Sequence, residues 1–506
     1  MMPPSFSRRS ILLAAAAGSA SLGCSDKGSG PQNRNTTTGT GSRNSIATPR
    51  PLPTRRPNAN PYLAENFAPV AQEVSRLNLD VAGNLPAALS GTFMRVGPNP
   101  TAMPEHPERY SWFPGAGMIH GVQIDGGRAI AYRNRYVRTT SISTGFRESP
   151  VPGPAPVGFD ASNTNVVEFR GRILTCTEGS LPYVVTADGS TIERTDFPGG
   201  LSHGLSAHCK FDPATGELHN VSYRVAPTPY AVWQVIDADG KVDRTVPIEL
   251  DVAGMWHTFS LTDRYVIVYD HPVVYDPTRL ADGWLFPFAW HGERPGRVGL
   301  IERTGDGRVR WFDADLGSVN HDVAAHDTPT GVSVLFTSSE RQFDRDPAGP
   351  LEAPPILVRL EIDTGTGKVR RTVVDERAQE FPRSNPDLGL GKARFVYTIG
   401  AGPGVSGGGV LEPGNAILKH DLVKSTTEVA PIGPTRATAE AVFVADPERT
   451  RQEDGGWLLS YVYDAQTDLS DLVVVDAQDI SAGPVATVSL AARVPWGFHG
   501  NWMPAD

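Results

Sequence analysis

Short runs of alternating Val, Ile, Tyr and Thr, each closed by a tight-turn signal, recur along this chain, while long helical periodicity is scarce. NVVEFRGRILTCTE at 165–178, YVIVYDHPVVYD at 265–276 and GVSVLFTSS at 331–339 read as strands. IDGG at 124–127, ADGS at 187–190, PATGE at 213–217, DADGK at 237–241, GDGR at 305–308 and DTGTGK at 363–368 supply turns. Asp-Gly pairs favour hairpins because both central residues tolerate positive φ. Many hairpins without alternating strand and helix units predict an all-β, sheet-repeat architecture such as a propeller, and argue against a Rossmann or TIM fold.

Composition narrows the function classes. The 46 Lys and Arg against 56 Asp and Glu give a net charge of −10, the wrong sign for a generic nucleic-acid binder. Three cysteines in 506 residues cannot build a disulfide framework, so burial must hold the fold together. Residues 1–24 read as an export signal of twin-arginine type: Arg8 and Arg9 precede an apolar run from Ile11 to Gly23 that is too short to span a bilayer. Cys24 resembles a lipoprotein cleavage position, with Ser21 where Leu is usual. Residues 25–60 lack the apolar side chains that offset the entropy of ordering and read as a disordered tether. The expected folded body is 61–506, exported to the periplasm or anchored there as a lipoprotein.

His208, His257, His321 and His499 stand 49, 64 and 178 residues apart, with no local metal-ligand spacing. By composition each reads as an ordinary core or surface histidine. Only a fold that gathers distant strand ends, as a propeller axis does, unites them.

Around these residues stand GTFMRVGPNP at 91–100, YSWFPGAGMIHGV at 110–122, YRNRYVRT at 132–139, NTNVV at 163–167, TEGSLPY at 177–183 and RVPWGFHGNWMP at 493–504. In these motifs the chain resembles the carotenoid cleavage oxygenase family. The resemblance implies a seven-bladed β-propeller with a loop and helix dome over an iron(II) held by His208, His257, His321 and His499. It also implies that Glu178, Glu380 and Glu440 accept hydrogen bonds from ligand imidazoles, with a solvated surface acid as the alternative for Glu440. A carboxylate on the second ring nitrogen fixes tautomer and orientation. Three carboxylates around a dication leave about one negative charge, which makes burial tolerable.

The implied activity is an iron(II) dioxygenase that splits a C=C bond of a carotenoid or apocarotenoid with O2 into two carbonyl products. Its rivals are stilbene-type cleavage, polyene isomerisation and non-catalytic polyene binding. Phenol-cleaving members pair a Tyr, here Tyr136, with a Lys; Thr177 stands in the Lys position, which points to an apolar polyene. Tyr136, Trp256, Phe259 and Phe498 are candidate substrate-wall residues, with core packing as the alternative. Thr258 after His257 and Asn320 before His321 depart from the family pattern, in which Asp and an aromatic are usual; WFPGAG replaces a sequence with two aspartates. GWLFPFAW at 283–290 is read either as a patch for peripheral membrane contact or as buried dome. His120 and His326 are expected to pack rather than ligate. Cys176 is expected to lie buried near Glu178, and a bridge to Cys209 is left open.

Overall fold

The structure, a computed structural model, describes residues 60–349, 352–400 and 414–505. The expected signal over 1–24, with Cys24, and the tether over 25–59 lie outside the described residues. Asn60 is already held, its side-chain amide donating to the carbonyls of Pro107 and Tyr110.

Seven antiparallel sheets of four to six strands form the blades. Numbered by their first strand, blade I starts at Asn165–Phe169, II at Lys210–Asp212, III at Phe259–Leu261, IV at Ser318–Thr328, V at Gln379–Arg383, VI at Arg436–Thr438 and VII at Gly500–Pro504. Every turn signal named above joins two paired strands. NVVEFRGRILTCTE holds a further turn of its own: Arg170 and Gly171 both take positive φ, 56° and 71°, between Asn165–Phe169 and Arg172–Cys176. YVIVYDHPVVYD, by contrast, is two elements. Tyr265–Asp270 stays in blade III, and after Pro272, which has no N–H to give, Val273–Tyr275 leaves to pair with Phe288–Trp290 in a separate ribbon.

Blade VII closes the ring: its first strand comes from the chain end and pairs with Gly91–Pro98. A second splice adds Val81–Gly83 to the outer edge of blade VI. The core is a series of layers between neighbouring blades. Phe93, Tyr132, Tyr461 and Leu472 fill the layer between VII and VI; Tyr269, Phe336 and Val358 fill that between III and IV. Middle strands buried along their length, such as Gly331–Ser339, contrast with the alternating outer Pro484–Ala492. Only two short α-helices occur among the described residues, α1 (Thr140–Gly145) and α2 (Pro277–Ala281), beside single 3-10 turns, so the expected dome is mostly loop and ribbon. No described helix is long and apolar enough to cross a membrane.

Candidate metal centre

The first strand of each blade begins near one shared axis, and there the four histidines meet. His208 sits in the turn before blade II, His257 just before blade III, His321 within the first strand of IV, and His499 just before that of VII. Local structure fixes each. Ser206 Oγ accepts the His208 N–H at 3.0 Å, and Met255 N–H donates to Val273 O at 3.0 Å, tying the segment before His257 to the ribbon. His499 N–H donates to Thr164 O at 3.0 Å, while the His499 carbonyl accepts from Val96 at 3.1 Å. A break in register between Val319 and Asp322 bulges the strand at His321 and turns its ring to the axis.

The Nε2 atoms of His208 and His257, of His257 and His321, and of His321 and His499 are each 3.1 Å apart. One ligand nitrogen from each of the four lies within 4.8 Å of the others. Three of the rings present Nδ1 to a carboxylate: His257 to Glu178 at 3.4 Å, His321 to Glu380 at 2.5 Å and His499 to Glu440 at 3.0 Å. Those bonds place the proton on Nδ1 and leave Nε2 a bare acceptor. Lone pairs converging at this distance repel unless a cation lies between them, so the donor set fits a metal ion.

The ring pattern narrows the geometry. Five ring pairs have centroids 4.4 to 5.0 Å apart, and the sixth, His257 with His499, is 6.4 Å apart. A tetrahedral set would make all six alike. One opposed pair and five adjacent ones instead mark four vertices of an octahedron, with the two unfilled vertices adjacent.

The carboxylates come from the remaining blades: Glu178 from I, Glu380 from V and Glu440 from VI. Each blade therefore contributes one group to the centre. Glu440 is buried, which removes the surface-acid alternative, and it also accepts the Gly500 N–H at 2.9 Å. Sequence reasoning missed Arg383, whose Nε stands 3.5 Å from Glu440 while its guanidinium donates to Gly500 O at 2.7 Å. Three carboxylates less this guanidinium leave two negative charges, so a divalent ion neutralises the site and the expected residual charge disappears.

Burial would raise the Glu440 carboxyl, but Arg383 and His499 outweigh it and hold it down at about 2. Burial pushes His208 well below the usual imidazole value, with the neighbouring rings adding to the effect. It takes His499 to about 4 against the pull of Glu440. For His321 burial is overcome by the Glu380 carboxylate, and its value rises. Phe381, also absent from the sequence analysis, stacks on His321 with centroids 5.3 Å apart. Its φ of 53°, rare for an aromatic residue, follows from the register break in that strand.

The four candidate wall residues divide. Phe498 stands beside His499 and packs on Trp112 and Phe113, and Phe113 in turn stacks on Phe286 of the ribbon segment. Phe498 and Trp112 share an apolar cluster with Phe381, and Phe113 packs against it. Trp256 and Phe259 are buried with Trp233 and Val266 in the layer between blades II and III. Tyr136 lies apart with Met118 and Ile142, its hydroxyl accepting from Asn99. Thr177 is committed to Asn163, which holds the carbonyls of Phe113 and Gly115. In GWLFPFAW the aromatic side chains turn inward to different degrees, and Leu285 is the exposed apolar residue. Asn320 bonds Ser339 and Gln342, and buried His120 bonds Tyr132. Cys176 and Cys209 are both free. A second His and carboxylate cluster, Asp212, Glu217 and His219, is filled by the Arg303 guanidinium.

Residues 67–504 match the family described as retinal pigment epithelial membrane protein. A carotenoid cleavage oxygenase of Mycobacterium tuberculosis is 38% identical over 493 residues, covering 88% of this chain and 98% of the relative. The chain belongs to the carotenoid cleavage oxygenase family. Another member, a carotenoid 9,10(9',10')-cleavage dioxygenase of Crocus sativus, is 31% identical, covering 87% of this chain and 89% of that one. Among solved structures, cobalt-substituted Synechocystis apocarotenoid oxygenase superposes with a TM-score of 0.75 at 26% identity, over 86% of this chain and 97% of the other. Within the family, the Thr258 departure has a visible counterpart: its hydroxyl donates to Asp322, the residue after His321, at 2.6 Å.

Proposed function

We propose that the chain is an iron(II)-dependent dioxygenase that cleaves a C=C bond of a carotenoid or apocarotenoid with O2, giving two carbonyl fragments. The observation that carries this is the octahedral fragment of four imidazole nitrogens, three of them backed by buried carboxylates. His208, His257, His321 and His499 would hold the ion. The chemistry a ferrous ion supplies when bound is electron donation to dioxygen, which redox-inert zinc lacks. The chain's own residues do the rest. Glu178, Glu380 and Glu440 fix the tautomer and orientation of three imidazoles, so no ligand has to reorient. Phe498, Phe113, Phe286 and Trp112 offer an apolar approach that excludes water and suits a long hydrocarbon. With Thr177 where a cation would be needed, nothing there favours a phenolate.

Export and lipidation at Cys24 belong to the same proposal. A twin-arginine route carries folded protein, so iron loaded in the cytoplasm is enclosed before the chain meets the copper and zinc that bind imidazoles more tightly. Peripheral membrane contact would rest on Leu285 at the rim of the ribbon, and reduced liposome flotation of Leu285→Ser tests it.

The deciding experiment incubates the iron-loaded protein with a panel of carotenoids and apocarotenoids under 18O2 and under argon, with mass analysis of products. Two labelled carbonyl fragments under oxygen and none under argon are expected. An unbroken isomer formed under argon would identify a polyene isomerase. Unchanged pigment retained in air would identify a binding protein.

A further inference from the structure

Three of the four ligand histidines have a carboxylate on the second ring nitrogen; among the described residues His208 has none. Close by lies a fourth buried carboxylate, Asp322, whose side chain is 5% exposed. It accepts from Lys210 Nζ at 2.6 Å, Thr258 Oγ1 at 2.6 Å and Ser260 Oγ at 2.9 Å, and Ser260 Oγ is 2.6 Å from the Tyr269 hydroxyl. The positions of these partners are telling. Lys210 is two residues after His208; Thr258 and Ser260 are one and three after His257; Asp322 itself follows His321. One carboxylate thus joins the ligand-bearing segments of blades II, III and IV.

Backbone geometry makes this junction. Consecutive residues of a strand point to opposite faces, and the two segments match in this: His321 reaches His257 while Asp322 reaches Thr258 and Ser260. The register of this strand shifts on each side of Asp322, between Val319 and Asp322 and again between Asp322 and Ala324, which sets Asp322 apart from the regular ladder. Three charge-assisted or hydroxyl bonds to one buried carboxylate satisfy it and fix the separation of the strands that supply them.

We infer that Asp322 is a positioning residue of the centre, setting where His208, His257 and His321 stand relative to one another through Lys210, Thr258 and Ser260. This rests on the metal reading above. Of these ties, Lys210 is the one that reaches the His208 segment, so Asp322 supplies from a distance the carboxylate support that this ligand lacks.

The test uses the full chain stripped of metal by a chelator. Iron(II) is titrated anaerobically against a chromophoric competitor, cobalt(II) is added separately to record its visible ligand-field band, and the thermal midpoint of the metal-free chain is measured. Asp322→Asn is expected to bind iron about 10- to 100-fold more weakly and to shift the cobalt band. Lys210→Met, at a partly exposed position, is expected to change both in the same direction and remains informative if Asp322→Asn does not fold. Adding Thr258→Asp to Asp322→Asn places a carboxylate on the other side of the same 2.6 Å bond and is expected to recover affinity and band. Wild-type affinity and an unshifted band in both single variants, whatever their thermal midpoints, would overturn the inference. A double variant as weak as Asp322→Asn would overturn the claim that the carboxylate sets the geometry. A wild-type chain that takes up neither metal would instead overturn the reading of the centre itself.

Discussion

Glu440 shows most clearly how one side chain serves both the site and the fold. It accepts from His499 and from the Gly500 backbone and neutralises Arg383 where blades V, VI and VII meet. Glu440→Gln keeps the shape but removes the charge opposite Arg383 and leaves one acceptor oxygen where two serve His499 Nδ1 and the Gly500 N–H. Iron affinity is expected to fall about 10- to 100-fold, measured by competition with a chelator. The buried imidazoles also set the acid limit of the metal-free chain. His499, at about 4 in the fold, stays neutral where the unfolded chain, near 6.5, takes up a proton, so its contribution is lost as pH falls from 6.5 towards 4. That is on the order of 3 kcal/mol for this residue. His208, lowered by burial, acts in the same direction, whereas His321, raised by Glu380, stabilises below 6.5 and loses that contribution as pH rises through its folded value. Denaturant unfolding of the metal-free chain is therefore expected to show stability falling across that acid window; a flat profile would contradict the burial argument.

At the scale of elements, ligand placement depends on irregularities in otherwise regular strands. The hairpins follow their turn chemistry, and the turn residues announce them. The bulge at His321 has no such signal, because no Gly or Pro marks it and its cause lies in what the next blade presents, whereas Pro382, which has no N–H to give, marks the one after Glu380. Gly97 shows the same dependence. A Cβ there would stand 2.5 Å from the Gly497 Cα, two residues before His499, so the two backbones touch only because both residues lack side chains. Gly97→Ala is expected to destabilise the fold by about 1–3 kcal/mol and to weaken iron binding by displacing His499. A shift in the denaturant midpoint together with metal content after gel filtration checks both parts.

For the whole molecule, ring closure and the metal centre are one structural event. The strand Gly500–Pro504 both completes blade VII and carries His499 to the axis on its leading edge. Removing residues 499–506 takes away one ligand and leaves Gly91–Pro98 with an unpaired edge. Such a chain is expected to bind no iron at stoichiometric level and to elute as aggregate in size-exclusion chromatography. A monomeric, cooperatively unfolding truncation would show that the other six blades close without it. The sequence by itself determined the strand and hairpin content, because alternation and turn residues are local properties of the chain, and its ordered motifs determined the family; the four histidines and three glutamates were named only as that resemblance implies, since nothing in their spacing unites them. Arg383, Asp322, Phe381, the inward turn of most of GWLFPFAW and the separation of Trp256 and Phe259 from Phe498 were decided only by tertiary structure. Each depends on which blade stands next to which and on where a bulge rotates a strand, and these follow from packing between residues tens to hundreds of positions apart.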